Sequence, residues 1–147
     1  MARIAGVTSG GNDYFRDDLP VELIDELLTA EADVIEPLIR ENAKKMLSGP
    51  YSTKLSAKAL TRKKPEYGKD KTRELVLVWR GTRREFIKNG KAVRRKEIRN
   101  AEVAFLNEYG TRNNPPRPFI SDGIDRGQKS AFDNAEVIFR SWQEKNI

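Results

Sequence analysis

The side chains of this chain that can do chemistry are carboxylates, lysines and arginines, because histidine and cysteine are both absent. Without imidazole or thiolate, the commonest neutral-pH general base, the favoured zinc donors and the thiol nucleophiles are all missing. No disulfide framework can form. Two carboxylates, Asp122 and Asp125, stand three apart near the start of an expected helix. That place suits complementing the helix dipole better than holding a metal. Gly10-Gly11 and Gly49-Pro50 lack the residues that continue a phosphate-cradling loop. The expectation is therefore no enzyme, with no catalytic residue, no metal ligand and no cofactor. What stands out instead is a crowd of cations: Arg83, Arg84, Lys88, Lys91, Arg94, Arg95, Lys96 and Arg99, with Arg62-Lys63-Lys64 upstream. Such a block can neutralise phosphates, face an acidic protein surface, or solvate a sheet.

Charge is segregated along the chain. Residues 1–50 carry 5 basic and 10 acidic side chains, residues 51–100 carry 17 and 5, and the remainder carry 6 and 7, for a net +6. Such asymmetry is a statement about partners. At 147 residues, 37% of them apolar, the chain has the length of one ordinary domain with a real core. It contains no apolar run of the length a membrane span needs, and its N-terminal apolar patch is too short for a secretory signal. The absence of cysteine fits folding in a bacterial cytoplasm.

The elements that must position these residues read as α+β. Residues 1–16 are glycine- and serine-containing without periodicity, and are expected as a flexible N-terminal arm whose end Tyr14 and Phe15 anchor. Residues 17–147 then form a single domain. Asp17 or Asp18 can cap a helix that accommodates Pro20 in its first turn and carries Leu23, Ile24, Leu27 and Leu28 on one stripe. Asp33 and Glu36 have capping-box spacing ahead of a second helical stretch with Pro37 in its opening turn. Its stripe is Ile35, Leu38, Ile39, Asn42, Ala43 and Met46, and Ser48-Gly49-Pro50 ends it. Two helices and one bent helix both fit. A short helix is expected near 53–60.

Leu75-Val76-Leu77-Val78-Trp79 reads as a central strand covered on both faces. Residues 83–95 read as a projecting basic hairpin turning at Asn89-Gly90, with Ile87 opposite Ala92, Phe86 opposite Val93 and Glu85 opposite Arg94. Ala101–Tyr109 is expected as another strand of this small, mainly antiparallel sheet, with Val103, Phe105 and Tyr109 on one face. A C-terminal helix follows with Phe132, Ala135, Phe139 and Trp142 as its apolar stripe.

Between that last strand and that helix lies Tyr109-Gly110-Thr111, a polar turn through Asn113-Asn114-Pro115, and Pro116-Arg117-Pro118-Phe119. As physics this is a stiff connector: Gly110 permits an unusual backbone angle, Pro116 and Pro118 fix φ, and Phe119 anchors in the core. The order strand, YGT, PxRPF, helix resembles the tail-component family of long-tailed bacteriophages, the tail-completion or head–tail joining proteins. Members commonly carry an aromatic-Gly-Thr followed by Pro-Ala-Arg-Pro-Phe. The close match covers Ala101–Ile120. Tyr109, Gly110, Thr111, Arg117, Pro118 and Phe119 are its residues here, and their role is mainly architectural.

The resemblance implies a structural virion protein at the head–tail interface, made in the host bacterial cytoplasm. It implies a homo-oligomeric ring, most plausibly hexameric, that joins the head connector to the tail tube and meets neck, tail-tube or tail-terminator proteins around traversing DNA. Arg83, Arg84, Lys88, Lys91, Arg94 and Arg95 are the expected contact residues, toward a neighbouring protein surface or toward DNA. In the first case an acidic helical face of one copy meets the basic β-arm of the next. The alternative is a nucleic-acid-binding module that uses the basic 83–99 segment directly. A small regulatory or toxin-like protein of a mobile element is a third reading.

Overall fold

The computed structural model describes residues 3–8, 19–47, 54–88 and 90–146, the first of these segments as backbone only. The expected positions of Tyr14, Phe15, Asp17, Asp18, Ser48, Gly49, Pro50 and Asn89 lie outside the described residues.

The organising strand is β4 (Arg73–Trp79), in which Leu75 to Trp79 are all buried. It forms from five consecutive apolar residues whose alternate side chains face opposite ways. Leu75, Leu77 and Trp79 join the main core, and Val76 and Val78 are buried between them. A strand buried this way needs backbone partners along both edges. β2 (Leu60–Arg62) and β3 (Glu66–Tyr67) pair antiparallel along one edge, and β1 (Arg3–Thr8) along the other, with Val7 opposite Leu75 and Gly6 opposite Val76. Residues 3–8 thus correct the expectation of a free arm. Arg-Ile-Ala-Gly-Val-Thr contains the β-branched residues a strand favours, and β4's edge is the template.

The N-terminal helical region is one helix, α1 (Val21–Met46), with Pro37 inside it. Pro20 occupies the N-cap position just before the first turn. Proline inside a helix costs about 3 kcal/mol in isolation. Pro37 lies on the exposed side, while Leu28, Ala32, Ile35, Ile39 and Ala43 on the buried side pack into the core. Tertiary packing outweighs the local penalty. Asp33 and Glu36 do not cap a second helix. Arg62 of β2 donates to Asp33 Oδ1 at 2.7 Å and to Glu36 Oε2 at 2.8 Å.

α2 (Leu55–Lys58) is the short helix expected near 53–60. Arg40 of α1 ties it down by donating to the carbonyls of Ala57 at 3.3 Å and Leu60 at 3.0 Å. The indole N–H of Trp79 donates to the Ser56 carbonyl at 2.7 Å, so this buried donor is satisfied.

Residues 100–109 are helical, α3 (Asn100–Tyr109), and not the strand expected from Val103, Phe105 and Tyr109. Ala101, Ala104 and Glu108 are its buried positions, spaced three and four apart. Ala, Glu and Leu are strong helix formers, and Gly110 with φ +78° ends the helix.

α4 (Phe119–Asn146) runs antiparallel to α1. Its buried stripe is Ile120, Gly123, Gly127, Ala131 and Ala135, whereas Phe132, expected in the stripe, is 63% exposed. Small residues win because the helix axes approach closely. A Cβ on Gly123 would lie 2.9 Å from Ile39 Cγ1 and 3.2 Å from Ile39 Cα. Phe139 and Trp142 stack on each other, half-buried, near the end of the helix.

The remaining strands, β5 (Thr82–Lys88) and β6 (Lys91–Arg99), form a separate two-stranded antiparallel sheet. The class is α+β, with α1 between β1 and the other strands of the small antiparallel sheets and α4 after them. Among the described residues, no helix is long and apolar enough to cross a membrane.

Candidate assembly surface: the basic ribbon and the 109–119 connector

β5 and β6 hold the expected register: Glu85 opposite Arg94, Phe86 opposite Val93, Ile87 opposite Ala92. Gly90 in the turn has φ +74°. A register irregularity between Arg83 and Glu85 re-aims the strands near their base. Phe86 and the opposite Val93 are half-buried on one face of the ribbon and Ile87 on the other, and α3 packs against β6. An isolated two-stranded hairpin is marginal in water, so this one depends on its base.

That base is where Arg83 goes. Expected among the exposed contacts, it is only 7% exposed, and its Nε donates to Asn100 Oδ1 at 2.7 Å. Burial pulls its guanidinium below the ordinary arginine range. Asn100 in turn donates through Nδ2 to the Arg80 carbonyl at 2.9 Å and through its backbone to the Gly81 carbonyl at 3.0 Å. Arg83 fixes the root of the ribbon and is not available to a partner.

The other five expected residues, Arg84, Lys88, Lys91, Arg94 and Arg95, are exposed. Arg84 lies 3.6 Å from Glu97. A hydrogen bond from Thr82, followed by the attraction of Arg84, lowers the Glu97 carboxyl below its usual range. Arg99 is held by Glu102. Lys88 stands opposite Lys91 in the register, where like charges repel.

Three carboxylates of the acidic helix α1, Asp25, Asp33 and Glu36, have found cations of the sheet. Asp25 receives a two-pronged hydrogen bond from Arg73 at 2.8 and 2.9 Å. Glu36 and Asp33 hold Arg62, whose guanidinium loses some basicity to burial but gains more from these two carboxylates. Arg62 and Arg73 thus settle part of the charge asymmetry of the sequence between α1 and the sheet. The ribbon's share is not settled there.

The connector joins helix to helix. Tyr109 is 62% exposed and packs on Phe105 with ring centroids 4.5 Å apart. Gly110 needs its positive φ, and a Cβ there would lie 2.7 Å from Pro116 N. Gly110→Ala is expected to cost about 1–3 kcal/mol through strain alone, read as a drop in denaturant midpoint with an unchanged m-value. Thr111 closes the turn: its N–H donates to Asn114 O at 2.9 Å and its Oγ1 accepts the Asn114 N–H at 3.2 Å. Arg117 latches two helix ends, donating to Asn107 Oδ1 at 2.9 Å and to the Met46 carbonyl at 3.5 Å. Pro118 leads into Phe119, which is fully buried and meets Trp79 edge-on at 6.0 Å. Residues 111–118 are all exposed.

Two polar residues complete this hub: Glu108, which nothing in the sequence marks, and Asn42, which stands in the apolar stripe of α1. Glu108, buried at the end of α3, accepts the backbone N–H of Ile120 at 2.8 Å and of Ser121 at 3.1 Å, and also the Ser121 hydroxyl. It caps α4 from another helix. Asn42 donates to the Phe119 carbonyl at 3.1 Å and to Asp122 Oδ2 at 2.8 Å, and accepts from Arg126. Asp122 sits in the first turn of α4, where an anion suits the dipole. Asn100, at the root of the ribbon, is likewise unmarked in the sequence. A lone amide inside an otherwise apolar stripe, as Asn42 is, was the available signal, because a buried polar group requires partners. Glu108 gave none under a strand reading.

Among the described residues, no cluster of three or more carboxylates could hold a metal ion. No protein-family model matches the chain, and comparison with curated proteins and with solved structures found no match.

Proposed function

We propose that this chain is a structural virion protein of a long-tailed phage or prophage, a tail-completion or neck component. Its copies form a ring, hexameric on the plan of the family it resembles, between the head connector and the tail tube or tail-terminator proteins. It acts by shape and surface complementarity and catalyses no reaction. The observation that carries the reading is the segment from Tyr109-Gly110-Thr111 to Arg117-Pro118-Phe119. Its end is anchored by the buried Phe119, whose helix is capped by Glu108 of α3, and the exposed Arg117 bridges the ends of α3 and α1, while residues 111–118 stand outward on that support. A rigid, exposed loop on a locked base suits a static joint between proteins. Phe105, Leu106 and Tyr109 beside it form an exposed apolar patch of the kind a neighbouring subunit covers.

Deleting the gene from the phage or prophage that encodes it tests this. The lysate is expected to contain filled heads and finished tails that do not join, with infectivity restored by supplying the chain. Normal infectious particles from the deletion strain would end the proposal.

A further inference from the structure

We infer that the β5–β6 ribbon binds the phosphate backbone of duplex DNA. The inference stands whether or not copies of the chain close into a ring. Five cations of the ribbon, Lys88, Lys91, Arg94, Arg95 and Lys96, are exposed and form no ion pair among the described residues. Elsewhere in the middle segment the cations are divided: Arg62, Lys63, Arg73, Arg84 and Arg99 each have a carboxylate partner, whereas Lys58, Lys64, Lys69, Lys71 and Arg80 are exposed and form no ion pair among the described residues. What sets the ribbon apart is density: its five open cations all fall between Lys88 and Lys96 of one hairpin.

Two features point to a polyanion as the occupant. Lys88 and Lys91 face each other across the tip, an arrangement that destabilises the free hairpin and that a shared anion relieves. Arg94, Arg95 and Lys96 then alternate sides of the strand, so cations project from both faces of the ribbon. The seven residues of β5 span about 24 Å. A two-stranded ribbon fits the major groove of B-DNA, about 12 Å wide. Duplex DNA offers one phosphate per about 1.7 Å of axis, so five cations find partners within that length. No exposed aromatic ring is interleaved with the cations, so the ribbon offers no stacking platform to the unpaired bases of a single strand. The acidic α1 face of a second copy is the weaker candidate, because Asp25, Asp33 and Glu36 are already engaged and Glu22 and Glu26 are the exposed carboxylates it has left to offer five cations.

Fluorescence anisotropy of the full chain with a mixed-sequence 30-base-pair duplex tests the inference. Five neutralised phosphates give a log–log slope of about −4.5, an affinity loss of about 500-fold between 50 and 200 mM salt. The wild-type slope alone is decisive: a flat response, or no binding at 50 mM, overturns the inference. Lys88→Gln, Lys91→Gln, Arg94→Gln, Arg95→Gln and Lys96→Gln together are expected to abolish both affinity and slope. Five lysines off the ribbon, Lys44, Lys58, Lys69, Lys129 and Lys145, changed likewise serve as the control and should keep at least half the slope. Equal loss in the control would assign binding to net charge and refute a ribbon site. A single strand of equal length binding tighter than the duplex at every salt would refute the groove fit. Loss of self-association by the ribbon variant, with duplex affinity unchanged, would make a neighbouring copy the occupant instead.

Discussion

Phe119→Ala is expected to cost about 3–5 kcal/mol, the largest effect of any single substitution argued for this chain. Its ring is fully buried, stands edge-on to Trp79 at 6.0 Å, and belongs to the main core. Truncation leaves a cavity where β4, α1 and the start of α4 converge, and little there can collapse into it. Its own backbone is pinned as well, since the Phe119 carbonyl accepts from Asn42. A domain of this size holds a total of about 5–15 kcal/mol. The loss should therefore appear as a fall of about 10 °C in melting temperature. Phe119→Leu, which refills most of the space, should cost less than half as much. Equal stability of the alanine and wild-type chains would show that the core is not organised around this ring.

Gly123→Val should be the second most damaging change, at roughly 2–4 kcal/mol from overpacking. The added Cβ alone comes within 3.2 Å of the Ile39 backbone, which cannot give without moving α1. Gly127 provides the contrast. A Cβ there would meet Leu38 Cδ1 at 2.6 Å, the far end of a side chain able to swing away. Gly127→Ala also gains about 1 kcal/mol of helix propensity. It is expected to fall within about 1 kcal/mol of wild type. Denaturant titration of the two variants side by side checks the claim that the glycines set the α1–α4 spacing. A Gly123→Val chain as stable as Gly127→Ala would refute it.

These glycines also show where the sequence was hard to read. Glycine within a helix normally signals a weak or broken helix, so the aromatic residues Phe132, Phe139 and Trp142 drew attention instead. Only the contact with α1 reveals that Gly123, Gly127, Ala131 and Ala135 recur at the spacing of one helix face. Ala101–Tyr109 failed for a related reason: over nine residues, Val103, Phe105 and Tyr109 fit alternation, and short apolar patterns do not separate strand from helix. The buried set Ala101, Ala104 and Glu108 includes a carboxylate that no hydrophobic pattern would place inside.

Other parts were legible because one local signal dominated. Five apolar residues made β4 visible, and Asn89-Gly90 between complementary runs set the ribbon register. Periodicity placed helical residues on both sides of Pro37, yet whether the helix continues through proline depends on packing. Arg83 and Arg84 are adjacent and of one type, and strand geometry sends them to opposite sides. Which of them turns inward depends on Asn100, a partner whose position only the folded chain supplies. Likewise the acidic and basic segments were visible as blocks, but Arg73–Asp25 and Arg62–Glu36 are pairings across the fold.

The account as a whole stands or falls on where the chain resides in a finished particle. Cryo-electron microscopy of mature particles from the encoding phage or prophage, with mass spectrometry of the same sample, addresses this directly. The expected result is a closed ring of this fold at the junction of head and tail, with its peptides present at ring stoichiometry. Intact, infectious particles that contain none of it would contradict the account.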